Sequence, residues 1–328
     1  MDTFEYLRPQ LLDPAVAAGA EQHAYYIGGG TNLVDLMKGG IARPTRLIDI
    51  NHLGLAGISE LPDGGLRIGA GARNSDVANH MLVRERYPLL SQALLAGASP
   101  QLRNMATVGG NLLQRTRCDY FVDRGFAHCN KRDPGSGCAA KDGMNRNHAI
   151  FGASPQCVAV NPSDMSVALL ALGASVNVRS KQGERRIAIA DFHRLPEDHP
   201  ERDTNLQQGE LITSVDLPKN NFAAHSVYLK VRDRASYAFA LVSVAVALDV
   251  SADKINDARI ALGGGAHKPW LAADAAQKLI GQPVHDVDLN AIAALAVQGA
   301  QPLAHNAFKV QLARGTTERA LKTALEMA

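Results

Sequence analysis

The spacing of apolar positions predicts a chain in which short strands and helices alternate. An extended segment at 24–27 leads into three glycines and then into a helical pattern with apolar residues at 33, 34, 36 and 37. A helix followed by a strand is predicted for NPSDMSVALLALGASVNVRS, and SYAFALVSVAVALDV at 236–250 has the β-branched apolar content of a buried strand. Three further helical segments are expected between 271 and 328. This order of elements, without internal repeats, predicts an α+β fold in two or three parts.

Composition and charge narrow the classes of function. The chain has 328 residues, which is long enough for two or three domains, and its net charge of +2 gives no support for nucleic-acid binding or a basic membrane anchor. The apolar segment at 236–250 is interrupted by Ser243 and Asp249 and is too short to span a membrane. The start of the chain, MDTFEYLRPQ, has neither a basic region nor an apolar core, so we expect no export signal in it.

Two glycine-rich loops are candidates for binding a phosphate group. The first, IGGGTNL, joins a strand to a helix, where glycines allow close approach and the N–H groups of the helix start favour an anion. It is neither a Walker A loop nor the dinucleotide fingerprint, because Leu33 occupies the third glycine position. The second, ATVGGNLLQ, could hold the other side of a pyrophosphate. Two unrelated tight turns are the alternative.

All four cysteines lie in one segment, 115–157, which has little apolar periodicity: Cys118, Cys129, Cys138 and Cys157. Their spacing, C-x10-C-x8-C-x18-C, has no CxxC pair and does not identify a metal. Between 115 and 148 there are seven Arg or Lys against four Asp, which favours an anionic four-thiolate iron–sulfur cluster. Zinc and disulfides are the alternatives.

The order of four motifs resembles one known family. IGGGTNLVDLMK, ATVGGNLLQ, NPSDMSVALLALGA and LVSVAVAL occur as in the FAD-binding subunit of the molybdenum hydroxylases, the medium-subunit family of xanthine dehydrogenase and carbon monoxide dehydrogenase. The resemblance implies a vanillyl-alcohol-oxidase (PCMH)-type FAD-binding domain in two subdomains, followed by a C-terminal α+β domain of the carbon monoxide dehydrogenase flavoprotein type. The bounds that it implies are 1–219 for the FAD-binding domain, with subdomains at about 1–54 and 55–219 and an insertion at 115–157, and 220–328 for the C-terminal domain.

The same resemblance implies a set of FAD-binding residues. Asp164 would bind a hydroxyl of the flavin chain, although a charge at a helix N-terminus is an equally good explanation of this residue. Ile212 and Lys230 would flank the isoalloxazine ring. The loop residues implied are Ile27, Gly28, Gly29, Gly30, Thr31, Asn32 and Leu33 for the pyrophosphate, and Thr107, Gly110 and Asn111 for the diphosphate and ribityl region.

The cysteine segment resembles one branch of this family. RTRCDYF and CNKRDPGSGCAA are similar to the FAD subunit of bacterial periplasmic aldehyde oxidoreductases, and this implies a [4Fe–4S] cluster on all four cysteines. The branch further implies a heterotrimer with a [2Fe–2S] small subunit and a large subunit that carries the molybdenum cofactor and oxidises the substrate. No catalytic residue for that step is expected in this chain. The complex is expected in the periplasm, by co-export with a partner that carries the signal, or in the cytoplasm.

Two other functions are compatible with the residues alone. A self-contained flavin oxidase of the vanillyl-alcohol type would need its own catalytic base. A scaffold subunit with vestigial flavin loops would not need the intact glycines or Asp164.

Overall fold

A computed structural model describes residues 1–326 of the chain. At its start lies a three-stranded parallel sheet with the strand order β1-β3-β2. Two helices make the crossovers between the parallel strands, as parallel pairing requires. The elements are β1 (Glu5–Leu7), α1 (Leu12–Gly19), β2 (Ala24–Ile27), α2 (Leu33–Lys38) and β3 (Arg46–Asp49). The first glycine loop therefore leaves the carboxyl end of β2.

A five-stranded antiparallel sheet follows, with the strand order β4-β5-β8-β6-β7. Its strands are β4 (Ile58–Glu60), β5 (Leu66–Gly69), β6 (Ser175–Ser180), β7 (Gly183–Ala188) and β8 (Leu211–Leu217). The sequence pattern predicted β6 but neither β4 nor β7, which are the two edge strands.

Helices fill the long connection between β5 and β6. The helix α9 is buried along its length, because it packs between α5 and the third sheet of the molecule. A large apolar core results, which includes Leu169 of α9 and also Tyr228 and Ala245 of that third sheet. The helices are α3 (Asn74–Asn79), α4 (Met81–Arg86), α5 (Pro88–Ala96), α6 (Pro100–Arg103), α7 (Val108–Leu112), α8 (Asp119–Val122) and α9 (Asp164–Ala171), with α10 (Ile189–Phe192) after β7.

The third sheet is antiparallel, with the order β12-β11-β10-β9. The expected strand at 236–250 begins only at Val242, because the preceding residues form a loop that faces a cavity. The long final helix packs across β9 and β10. The elements are β9 (His225–Val231), β10 (Val242–Ser251), β11 (Lys254–Gly263), β12 (Trp270–Leu271), α11 (Ala273–Leu279), a 3-10 turn (Val284–Asp286), α12 (Leu289–Ala296) and α13 (Phe308–Glu326).

Within residues 1–326, no helix combines the length and the apolarity that crossing a membrane requires.

Candidate functional site

The two glycine loops lie directly against each other. A Cβ atom placed on Gly29 would be 1.8 Å from the backbone oxygen of Met105, and one on Gly28 would be 2.8 Å from Oγ1 of Thr107. Gly30 has a φ of 71°, a left-handed conformation that favours glycine. The glycines are therefore needed for the contact between the loops, in addition to any approach of a ligand.

Hydrogen bonds fix the polar residues of these loops. Thr107 caps α7, since its Oγ1 accepts from the Gly110 N–H at 3.2 Å. Oδ1 of Asn111 accepts from Oγ of Ser163 at 2.7 Å, which ties the second loop to the start of α9. Oδ1 of Asn32 accepts from the backbone N–H of Arg115 at 2.9 Å.

A cavity of about 820 Å³ opens beside the two loops. Its size is within the range of small-molecule and cofactor sites. Two buried side-chain atoms on its wall, Nδ2 of Asn32 and Oδ1 of Asn74, have no hydrogen-bond partner in the described chain. Buried polar atoms are normally paired, so these two fit a site whose ligand completes their bonding. Of the residues expected at a flavin, the wall contains Thr31, Asn32, Gly110, Asn111, Asp164 and Lys230.

The other expected residues lie behind this wall or away from it. The glycines at 28–30, with Ile27, Leu33 and Thr107, support the loops and do not belong to the cavity wall that residues 1–326 form. Ile212 lies on β8 inside the apolar core, and the structure does not bring it to the cavity. The expectation that it flanks a ring there has no support in the geometry, because core packing accounts for its burial.

Asp164 lies at the centre of a buried group of charges. It is the first residue of α9, and its carboxylate accepts from the Tyr228 hydroxyl at 2.6 Å and from Nζ of Lys230 at 2.7 Å. Burial, together with the charge of Asp164, raises the pKa of Tyr228 well above its usual value, so the phenol remains a donor. A carboxylate has about four acceptor positions, which leaves capacity for a ligand hydroxyl.

Cationic and aromatic residues at the cavity were not predicted from the sequence. The guanidinium of Arg117 lies over the Phe239 ring at 5.2 Å, and that of Arg234 lies over the Tyr237 ring at 5.5 Å. Burial lowers the pKa of Arg117, and its Nε has no partner within the described residues. These groups can bind anionic phosphate oxygens and pack against a planar ring. The segment RDRASYAF holds three of them, but its sequence does not show which way they face.

All four cysteines line a second, small cavity. No disulfide joins them in the part of the chain that the structure describes. Burial raises the pKa of Cys118 to about 12 and that of Cys157 to about 11. Neighbouring cysteines add to both shifts: Cys157 and Cys129 for the first, Cys138 and Cys129 for the second. Within residues 1–326, no group of three His, Cys, Asp or Glu side chains has the spacing for a single metal ion. Four sulfurs around one cavity are instead a donor set that fits a thiolate-ligated cluster, whose irons separate the ligands more widely.

Several cations of the cysteine segment form ion pairs with carboxylates from other parts of the chain. Nζ of Lys131 lies 2.5 Å from Oδ1 of Asp203, and Nε of Arg115 lies 2.7 Å from Oδ2 of the same carboxylate. Arg146 pairs with Asp233. The carboxylates come from outside the segment and compensate its cations, so the charge count is weaker support for an anionic cluster than the convergence of the cysteines.

The N-terminal and the C-terminal part of the chain each match a known domain family. Residues 2–220 match the FAD binding domain in molybdopterin dehydrogenase, and residues 227–324 match the CO dehydrogenase flavoprotein C-terminal domain.

Full-length relatives agree with this assignment. The chain is 49% identical to the aldehyde oxidoreductase FAD-binding subunit PaoB of Escherichia coli over 334 residues, covering 100% of both chains. It is 28% identical to the glyceraldehyde dehydrogenase medium chain of Sulfolobus acidocaldarius, covering 86% of this chain and 83% of that one. Carbon monoxide dehydrogenase of Hydrogenophaga pseudoflava matches in structure with a TM-score of 0.77 and 25% identity, over 100% of this chain and 99% of that one. The chain therefore belongs to the FAD-binding medium subunits of the molybdenum hydroxylases.

Proposed function

We propose that this chain is the FAD- and [4Fe–4S]-containing electron-transfer subunit of a molybdenum-dependent aldehyde oxidoreductase. It would take electrons from the [2Fe–2S] centres of a small subunit and pass them to an external acceptor, while a large subunit with the molybdenum cofactor oxidises the aldehyde. The observation that carries this proposal is the full-length likeness to an aldehyde oxidoreductase FAD-binding subunit. The proposed domains are 1–219 and 220–328, and the family matches at 2–220 and 227–324 support these bounds.

The large cavity is the proposed FAD site. The first glycine loop would present backbone N–H groups to the pyrophosphate, the unpaired Nδ2 of Asn32 would donate to it, and the second loop would border it on the other side. Asp164 would accept from a hydroxyl of the flavin chain while Lys230 and Tyr228 hold its carboxylate in place. Bound flavin supplies storage for two electrons, and the protein supplies position and electrostatics.

The cysteine cavity is the proposed cluster site, with Cys118, Cys129, Cys138 and Cys157 as ligands. The segment 115–157 contains one short helix, α8, and few apolar residues, so it needs another source of order. Closing several turns around a metal centre would supply it, because the binding energy of the metal becomes folding energy. The buried contact of Lys131 with Asp203 would then anchor the segment to the rest of the fold.

Purification of the chain with its neighbours from the native host tests this proposal. We expect a complex of three different subunits, with one FAD and about four irons assigned to this chain. The purified chain alone should not oxidise aldehydes, since no residue of its cavity is proposed to act on them. Robust aldehyde oxidation by the isolated chain would favour the self-contained flavin oxidase instead. Cell fractionation would separate a periplasmic complex from a cytoplasmic one.

A further inference from the structure

One histidine lies between the two cavities. Cys118 lines both the large cavity and the cysteine cavity, and His148 lines the large one. Nε2 of His148 is 3.1 Å from the Cys118 sulfur. This pair is therefore the place where the proposed cluster site adjoins the proposed flavin site.

The direction of this hydrogen bond follows from the chemistry of a cluster ligand. A cysteine that binds iron is a thiolate and has no proton to donate, so Nε2 of His148 must be the donor. The neutral imidazole with its proton on Nε2 and the doubly protonated ring can both donate this hydrogen bond. Nδ1 of the same ring has no partner within residues 1–326, so the sulfur is the polar contact that orients the imidazole.

The backbone of His148 is held by two buried side chains from the C-terminal part of the chain. Its carbonyl oxygen accepts from Nζ of Lys309, on α13, at 2.8 Å and from Nδ2 of Asn306 at 3.1 Å. Both donors are fully buried. The position of the imidazole is thus fixed at the backbone as well as at the ring.

The four cysteine sulfurs receive different hydrogen bonds. The Cys118 sulfur receives the imidazole of His148. The Cys157 sulfur receives the backbone N–H of Ala159 at 3.5 Å. Within the described residues, no side chain donates to the sulfurs of the other three cysteines. The Cys118 corner is therefore the one at which a side-chain hydrogen bond can act on the cluster.

We propose that His148 is a positioning residue of the cluster, whose Nε2–H···Sγ bond to Cys118 raises the reduction potential of the cluster at the corner beside the flavin cavity. Hydrogen bonds to ligand sulfurs raise the potential because the reduced cluster carries the larger negative charge. This inference rests on the proposed function, since it requires the cluster.

The test is a redox titration of the purified complex, followed through the electron paramagnetic resonance signal of the reduced cluster. His148→Leu removes the donor, and we expect about a tenfold lower ratio of reduced to oxidised cluster at a given potential, or about 59 mV for a one-electron couple. His148→Gln offers an amide donor and should recover part of the shift. The control is His285→Leu, because the His285 ring is exposed, its Nδ1 lies 2.8 Å from the Asp253 carboxylate, and it belongs to the wall of neither cavity that residues 1–326 form. It should leave the midpoint unchanged.

The iron content of the purified protein distinguishes a failure of this inference from a failure of the cluster proposal. A parent chain without iron would overturn both this inference and the cluster proposal. A parent with about four irons and the same midpoint in His148→Leu would overturn this inference alone. If His148→Leu does not retain iron, the comparison is made between His148→Met, which lacks a donor, and His148→Gln. Equal midpoints in that pair would also overturn it.

Discussion

Replacing Asp164 by Asn removes the negative charge from a buried ion pair and keeps the shape of the side chain. The side chain of Lys230 is 4% exposed and that of Asp164 is 10% exposed, and their charged atoms are 2.7 Å apart. The Asn side chain can still accept from the Tyr228 hydroxyl, so the main loss is the partner of the Lys230 ammonium. An unpaired buried charge costs about 3–5 kcal/mol. We expect about 3 kcal/mol for Asp164→Asn, the lower end, because the pair borders an open cavity.

A double-mutant cycle separates the ion pair from other effects. Lys230→Met alone leaves Asp164 buried without its cation and should also destabilise the protein. In the double variant no charge remains unpaired, so its loss of unfolding free energy should be well below the sum of the losses in the two single variants. Urea unfolding of the flavin-free wild type, both single variants and the double variant gives their four free energies of unfolding. We expect a coupling energy of about 2 kcal/mol between the two residues. Additive losses would show that the pair does not form in solution.

Flavin affinity is an independent readout of the same variants. If Asp164 accepts a hydrogen bond from the flavin chain, Asp164→Asn weakens a charge-assisted bond worth about 1.5–3 kcal/mol, or roughly 10-fold to 100-fold in Kd. The double variant restores stability but does not restore the carboxylate, so its flavin affinity should remain low. Wild-type affinity in the double variant would refute the role of Asp164 as a flavin contact.

The contact between the glycine loops, the cysteine cavity and the buried His193 can each be tested by one substitution. Gly29→Ala should separate the two glycine loops and release most of the FAD on gel filtration, whereas Gly57→Ala, whose Cβ meets nothing within 4 Å, should retain it; equal retention would refute the loop contact. Cys129→Ser should remove iron and expose 115–157 to protease while FAD remains, and an unchanged digestion pattern would contradict the cluster as the organiser of that segment. Burial lowers the pKa of His193 to about 4, so the unfolded chain binds the extra proton below its own pKa of about 6.5 and stability falls as pH drops from 6.5 to 4. This histidine should contribute about 3 kcal/mol to that loss, and urea unfolding of His193→Gln should show a shallower pH dependence.

Elements with a strong local signal could be predicted from the sequence. The first glycine loop, α9 and most of β10 are found where the apolar pattern placed them. Each has either a continuous buried surface or a glycine turn that local residues determine. β7 was missed because four of its six residues are exposed and charged or small, as is usual for an edge strand. The sequence pattern extends the strand to residues before Val242, because Tyr237 and Phe239 are apolar residues of the kind that buried strands contain. In the structure, both side chains line the cavity.

The pairings within the candidate site could not be predicted. Asp164 and Lys230 are 66 positions apart, and only the packing of α9 against the third sheet brings them together. Likewise, Asp203 compensates Lys131 across 72 positions, which made the charge count of the cysteine segment misleading. Charge within a window of sequence shows nothing about carboxylates that the fold brings in from elsewhere.

Anaerobic addition of an aldehyde to the purified complex shows whether electrons from the substrate reach the flavin of this chain. The measurement is the absorbance of the FAD on this chain, recorded together with the conversion of the aldehyde to the acid. The flavin should be reduced as the aldehyde is consumed, and adding an external electron acceptor should restore its oxidised spectrum. Continued oxidation of the aldehyde with an acceptor present, while the flavin remains oxidised throughout, would contradict the proposal that electrons leave the complex through this subunit.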